Sequence, residues 1–497
     1  MKSEELLVNR LKAYADTDMY PFHMPGHKRL NGGGASELFR FPNPFQIDIT
    51  EIEGFDNLHH PEGILMRSME WAAGIYGADQ TYYLVNGSSS GILSAVCGAT
   101  DLGGRILISR NCHKSVYHGI YLNRLKSVYV YPQRAGKTGI QGGILPKDVD
   151  KLLEEYPDIQ AVLIVSPTYD GVVSDIGSIA EAAHRRGIPL IVDEAHGAHF
   201  RYFEEFPRSA LELGADVVIQ SVHKTIPSLT QTALLHVKCN KPSGEAYIDR
   251  GRLDRYIHIY QSSSPSYVLM AAIENAVYYM SHMSQEEKNR YVERLMRLRS
   301  ALREMKQLRL LDKDLKGRDG IYDLDESKIV ISTGMDHGTA PITGAELDHI
   351  LREKYHLEME MCGADYVTAI TSVMDSQEGL ERLGRALLEI DRELEIRGKA
   401  EEPEMGVPKA EVRECTVRAA MTIAEALDRE CDVVGLEECE ERIAGEYIYV
   451  YPPGIPIVAP GERISSAILK TVVSYISQGL PVQGPADESL KTIRVVR

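Results

Sequence analysis

Cysteine is scarce and scattered in this chain: Cys97, Cys112, Cys239, Cys362, Cys415, Cys431 and Cys439, with no Cys-x-x-Cys pair among them. An odd set without a framework excludes a disulfide-stapled fold and suits a reducing compartment. Cys431 and Cys439 have Glu437 and Glu438 for company but no histidine, so no metal site is expected. No apolar run approaches the ~20 residues of a membrane span, and Met1–Leu7 has no apolar signal core. The expected location is the cytoplasm, without membrane partners. Basic charge is also short, with 55 Lys and Arg against 72 Asp and Glu for a net charge of −17. That removes the main source of nucleic-acid affinity, while an acidic field suits a small cationic substrate. A Gly-x-Gly-x-x-Gly dinucleotide fingerprint is absent, as is the Gly-Lys-Ser/Thr of a nucleotide loop. There is no internal repeat and no low-complexity tract.

What remains is a globular mix of 497 residues, 43% apolar and 26% charged, long enough for two or three domains. Residues 1–18 read as a short amphipathic helix, and Pro21–Pro44 as a long Gly/Pro-rich loop of the kind that is usually functional or interfacial. Strand-like runs then alternate with helices: 105–109, 127–131, 161–165, 190–192, 217–219 and 232–237, with helices at 146–155 and 176–186 between them. Continuous Val/Ile/Leu strands separated by helices imply a mainly parallel sheet covered on both faces. Ser266 to about Met305 reads as one long helix, followed by a small α+β domain. The expected divisions are an N-terminal helix and interface loop at 1–60, a large domain at 61–265, the long helix and small domain at 266–397, a polar linker at 398–410 and a C-terminal α+β domain at 411–497.

Three motifs carry chemistry. The run Ile188–Val192 ends in Asp193-Glu194-Ala195-His196-Gly197, and the next run ends in Ser221-Val222-His223-Lys224. A carboxylate at one strand end and a lysine after the next are what pyridoxal phosphate (PLP) chemistry needs. The lysine forms the Schiff base, and the aspartate keeps the pyridine nitrogen protonated. Ordinary solvated lysines and capping aspartates explain either motif alone. The third motif, Asn86-Gly87-Ser88-Ser89-Ser90-Gly91, opens a helix whose N–H groups and hydroxyls suit a phosphate, although plain N-capping by serine explains it equally well in isolation.

Taken together, nine ordered segments resemble the fold-type I, PLP-dependent ornithine/lysine/arginine decarboxylases of bacterial type, in the short form without the receiver-like N-terminal domain of longer members. They are His23–Lys28; Asp48–Glu51 with Asp56–His59; Asn86–Gly91; Arg110–Ser115; Ser166–Gly171; Asp193–Gly197; Ser221–Thr225; Ser264–Tyr267; and Tyr451–Pro456 with Pro460–Glu462. The resemblance implies an aspartate aminotransferase-like large domain around a seven-stranded, mainly parallel sheet. It implies Lys224 as the Schiff-base lysine, Asp193 as the partner of the pyridine nitrogen, and His113 stacked on the ring. Ser88, Ser89, Ser90, Ser221 and His223 would hold the phosphate, with Ala195 and His196 beside Asp193 and Ser264 reaching in. Lys224 or His223 would return a proton to Cα. The implied assembly is a homodimer or a higher oligomer built on dimers.

A distal ammonium or guanidinium needs a carboxylate partner. Glu462, Asp48, Glu51 and Asp254 are the candidates, each with an equally good reading as solvated surface. By resemblance arginine is favoured as substrate, then lysine, then ornithine. An aminotransferase or lyase on the same scaffold stays open, with Arg352 and Arg382 available for a substrate carboxylate, as does a non-catalytic PLP-binding relative.

Overall fold

In a computed structural model the described residues are 6–30, 41–133, 135, 138–334, 342–400, 417–451 and 454–497. Their centre is a seven-stranded sheet made of β1 (Gln80–Leu84), β2 (Arg105–Ser109), β3 (Lys126–Val130), β4 (Ile159–Val165), β5 (Leu190–Asp193), β6 (Val217–Ser221) and β7 (Ala233–Val237). Spatial order is β1-β7-β6-β5-β4-β2-β3. β7 runs antiparallel to both neighbours, and the other pairings are parallel.

The continuous apolar runs have a direct cause, since the central strands bury both faces. Leu107, Val162, Ile164, Val192 and Val218 enter one core. Ile106, Ile108, Leu163, Ile191 and Ile219 enter the other. Alternate side chains on a pleat point to opposite faces, so a sheet covered twice favours apolar residues at successive positions of a strand. Helix α1 (Gly87–Ala99) packs tightly on this sheet, because a Cβ on Gly91 would lie 2.6 Å from Leu84 Cδ1.

The expected long helix over 266–305 is two helices, α2 (Tyr267–His282) and α3 (Gln285–Leu302). Ser284 causes the break. Its hydroxyl accepts from the Glu287 N–H while Glu287 reaches back to the Ser284 N–H, a capping box that starts a new helix. A four-stranded antiparallel sheet follows, with Arg309–Leu310, Lys328–Ser332, Tyr366–Ile370 and Met361–Cys362 in that spatial order. Thr343 caps the helix Gly344–Tyr355 beside it. Residues 417–497 add a two-stranded and a three-stranded sheet and the helix Ser466–Ser477 around a separate apolar cluster. The N-terminal helix spans Leu7–Ala15 and buries none of its residues. The helix expected near 416–426 is confined to Ile423–Leu427, while Thr416 and the polar linker from 401 onward lie outside the described residues. Among the described residues no helix is long and apolar enough to cross a membrane, and no group of three His, Cys, Asp or Glu could hold a metal ion.

Candidate functional site

Ligands on open α/β sheets sit beyond the carboxyl ends of the strands. Here a cavity of about 380 Å³ lies at that edge. Asp193 is the last residue of β5, and Lys224 lies in the short helix Val222–Thr225 that β6 runs into. Both line the cavity, with Ser88, Ser89, His113, Ala195, His196 and His223. Lys224 Nζ is 3.0 Å from His196 Nε2. Burial pushes the Asp193 carboxyl pKa up and the Lys224 ammonium pKa down, and the attraction between the two opposes both shifts.

The histidines are neutral near pH 7. Burial, reinforced by the Lys224 and Lys114 charges, lowers His113 to about 3, and His196 moves the same way for burial and Lys224. His113 caps the helix Lys114–Leu122, accepting from the Ser115 N–H at 3.2 Å on Nδ1. Burial brings His223 down to about 4. Its Nδ1 lies 2.9 Å from the Thr232 carbonyl. A carbonyl only accepts, so His223 carries its proton on Nδ1 and presents Nε2 as a lone pair.

At the opposite wall α1 brings its N-terminal turn to the cavity. Gly87 adopts φ +75°, a left-handed conformation that glycine takes without strain. Ser88 and Ser89 follow it on the lining, and buried Ser221 donates to Ser88 Oγ at 2.9 Å. Ser221 therefore steadies Ser88 from behind. Ser90 departs from expectation, because its hydroxyl is turned back onto the Gly87 carbonyl at 2.8 Å, inside its own helix. The buried atoms Asn111 Oδ1 and His196 Nδ1 have no hydrogen-bond partner among the described residues, although both residues line the cavity. Buried polar atoms without a partner are costly, and these two belong to residues of the cavity wall.

The expected substrate carboxylates are elsewhere. Contrary to the expectation of a substrate contact, Glu462 lies outside the lining: it is 1% exposed and its Oε2 accepts from Arg110 Nη2 at 3.2 Å and from the Ala459 N–H at 2.7 Å. Arg110 also donates to the Pro456 and Ile457 carbonyls at 2.8 and 3.1 Å. The Pro-Gly-Glu segment thus fastens the C-terminal region to the residue after β2. Asp48 and Glu51 are exposed and outside the lining, and Asp254 accepts from Tyr82 OH. Ser264 is exposed and outside the lining of this chain's cavity. Arg352 pairs with Asp348 and Glu358, each at 3.0 Å, Arg382 pairs with Asp18 at 2.9 Å, and neither lines the cavity.

The carboxylate that does reach the cavity is Glu360. Its Oε2 accepts from the Met24 N–H at 2.7 Å and its Oε1 from Tyr169 OH. Tyr169 also faces His196, with ring centroids 4.6 Å apart. Tyr451 and Ile455 complete the lining from the C-terminal region. Tyr169 stands inside the segment Ser166–Gly171, one of those that carry the family resemblance. Glu360 sits in the alternation Leu357-Glu-Met-Glu-Met361 and carries no local signal.

Comparison with known proteins agrees with this architecture. Residues 6–378 match the Orn/Lys/Arg decarboxylase major domain and residues 408–479 the C-terminal domain of the same enzymes. The arginine decarboxylase of Bacillus subtilis (strain 168) is 32% identical, over 99% of this chain and 98% of its own. That of Halalkalibacterium halodurans is 33% identical, over 99% and 97%. Lysine decarboxylase A from Pseudomonas aeruginosa superposes with a TM-score of 0.74 at 20% identity, covering 95% of this chain and 77% of its own. The structural likeness shows the expected fold-type I α/β architecture.

Proposed function

This chain belongs to the Orn/Lys/Arg decarboxylase family, and we propose that it uses PLP to remove the α-carboxylate of L-arginine, giving agmatine and CO2. The observation that carries the reading is one cavity holding Lys224, Asp193 and a separate carboxylate, Glu360. The donor set fits PLP. Gly87, Ser88 and Ser89 at the start of α1 offer N–H groups and hydroxyls to a phosphate, and Asn111 and His196, each with one buried polar atom lacking a partner, line the same space. Bound there, PLP supplies an electron sink for the pair left when CO2 departs.

The chain's own residues divide the remaining work. Lys224 provides the amine that links to the cofactor, and burial favours its reactive neutral form. Asp193 holds a proton on the ring nitrogen by a charge-assisted hydrogen bond. His113, neutral and held by its own helix cap, supplies a flat face to stack on. His223 has its Nδ1 proton committed to Thr232, so Lys224 is the better donor for the proton returned to Cα. Glu360 faces the distal cation, and Tyr169 and the Met24 N–H fix its two oxygens. Ser264 serves the cavity of a second copy in a homodimer, and the enzyme works in the cytoplasm.

Loading the protein with PLP and supplying L-arginine, L-lysine and L-ornithine separately tests this reading. CO2 and agmatine from arginine, at a kcat/KM above that for the other two, is the expected outcome. Release from lysine or ornithine alone would move the substrate within the family. Conversion of the cofactor to its amine form without CO2 would replace the reading with transamination.

A further inference from the structure

The segment His23–Lys28 enters the chemistry above only through the Met24 N–H, yet it is held more firmly than that one contact requires. Lys28 is 1% exposed, and its Nζ donates to the His23 and Ile370 carbonyls at 2.9 and 2.7 Å. Asp375 and Glu360 lie close enough for their charges to favour this buried ammonium against the cost of its desolvation. Ser372 Oγ donates to the Gly26 carbonyl at 2.6 Å, tying the segment to the end of the four-stranded sheet. On its other side the Gly26 N–H donates to the His223 carbonyl at 2.7 Å, one residue before Lys224. A Cβ on Gly26 would stand 2.8 Å from the Ile226 carbonyl oxygen and 3.1 Å from the Ile226 nitrogen. Those are backbone atoms of the Lys224 turn, which cannot swing aside.

Two residues earlier, the Met24 N–H donates to Glu360 Oε2 at 2.7 Å, and Met24 itself lines the cavity. One short run is therefore bonded both to the turn that carries Lys224 and to the cavity carboxylate Glu360. Two residues of chain span at most about 7 Å, so the two attachments cannot drift apart.

We propose that the strap His23–Lys28 is a specificity-determining ruler, fixing the separation of Glu360 from the Lys224 turn and so the length of basic side chain that the pocket accepts. Lys28 acts as the positioning residue that locks the strap. The inference rests on Glu360 as the partner of the distal cation. Its consequence is particular: disturbing the strap should change which of two basic amino acids is preferred, whereas general loosening of the pocket lowers both together.

The test uses the PLP-loaded full chain with Gly26→Ala and Lys28→Met, and compares kcat/KM for L-arginine, L-lysine and L-ornithine. Gly26→Ala should change the ratio between the preferred amino acid and its nearest competitor by roughly tenfold, the size of effect expected from misplacing one charged hydrogen bond. Lys28→Met should raise KM for the preferred substrate more than it lowers kcat, with PLP absorbance retained. Combined with Glu360→Gln, Lys28→Met should add little further loss, because both act on one contact. A uniform fall for all substrates, or additive losses in the double variant, would overturn the ruler. Should Lys28→Met not fold, Ser372→Ala loosens the same strap from one bond and should move the ratio in the same direction. A crystal structure of Gly26→Ala separates the ruler from the reaction. Met24 N–H still on Glu360 and an unmoved strap sink the ruler whatever the substrate, while an unchanged KM in Glu360→Gln sinks the distal-cation reading and the ruler with it.

Discussion

The floor and the far wall of the pocket are built in opposite ways. Asp193 and Lys224 come from the ends of adjacent parallel strands, β5 and β6, whose pairing puts Asp193 opposite Ile219. Their separation is a property of the sheet. The far wall is gathered from remote places: Met24 from the N-terminal segment, Glu360 from beside the small sheet, Tyr451 from the C-terminal region. It is held by side-chain contacts between distant parts of the chain, such as Met24 N–H and Tyr169 to Glu360 and Arg110 to Glu462. A floor made by the fold itself suits chemistry that every member of a family shares. A wall made of separable contacts can vary without rebuilding the fold, which suits the choice of substrate.

The largest break in this comparison should come from the floor. Lys224→Ala removes both the amine that links to PLP and the proposed proton donor, so turnover should fall by several orders of magnitude. Borohydride reduction of the wild-type holoenzyme should place the pyridoxyl label on Lys224 in a peptide map, and label on Lys114 or Lys28 would refute the assignment. Asp193→Asn should keep the fold and much of the PLP but lose about 10²–10³-fold in kcat, as a preorganised charge-assisted contact is removed. Near-native turnover in that variant would show that the ring nitrogen needs no carboxylate.

Two carboxylates sharpen the comparison from the wall side, because they look alike in sequence and differ in place. Glu360→Gln should raise KM for the preferred substrate by about tenfold with a smaller change in kcat, as expected when a group that grips the unreacting end is neutralised. Glu462→Gln should leave KM close to wild type and lower thermal stability instead. It leaves the buried Arg110 guanidinium without its counter-charge, though still bonded to the Pro456 and Ile457 carbonyls, a loss of at most about 3–5 kcal/mol for one partner of a buried pair. Thermal melts and steady-state kinetics on the same two preparations check both, and a KM effect in Glu462→Gln alone would reverse their roles.

The same contrast explains what could be read in the sequence. The strands of the sheet were legible because burial on both faces leaves unbroken apolar runs, and Asp193 and Lys224 because each follows such a run directly. Helices α2 and α3 merged in the reading because apolar periodicity continues past Met283, and only the Ser284–Glu287 capping box marks the break. Glu462 misled for a different reason. A carboxylate in a Pro/Gly-rich segment looks exposed, and its buried partner Arg110 is brought to it only by folding. Glu360 was invisible on the same grounds, since nothing in its neighbourhood encodes the arrival of Met24 and Tyr169.

A smaller effect tests the seam between floor and wall. Asp170 follows Tyr169 and is buried between the Ser166–Gly171 turn and the small sheet, accepting from Thr368 Oγ1 at 3.3 Å and Tyr366 OH at 3.4 Å. Burial pushes its carboxyl up to about 6, and the two hydroxyls oppose that rise only in part. A carboxyl raised in the folded state binds its proton more tightly there than in the unfolded chain. Its stabilising contribution is therefore complete below the unfolded value of about 4 and is lost as pH rises toward the folded one. Asp170→Asn removes that titration while keeping a side chain both hydroxyls can bond. Wild type minus variant, the unfolding free energy should fall by up to about 3 kcal/mol between pH 4 and pH 7, read from urea melts at matched ionic strength. A difference that stays flat across that range would mean that the carboxyl titrates as an open surface group and that the seam admits water, in which case the wall is free to move as a unit against the floor.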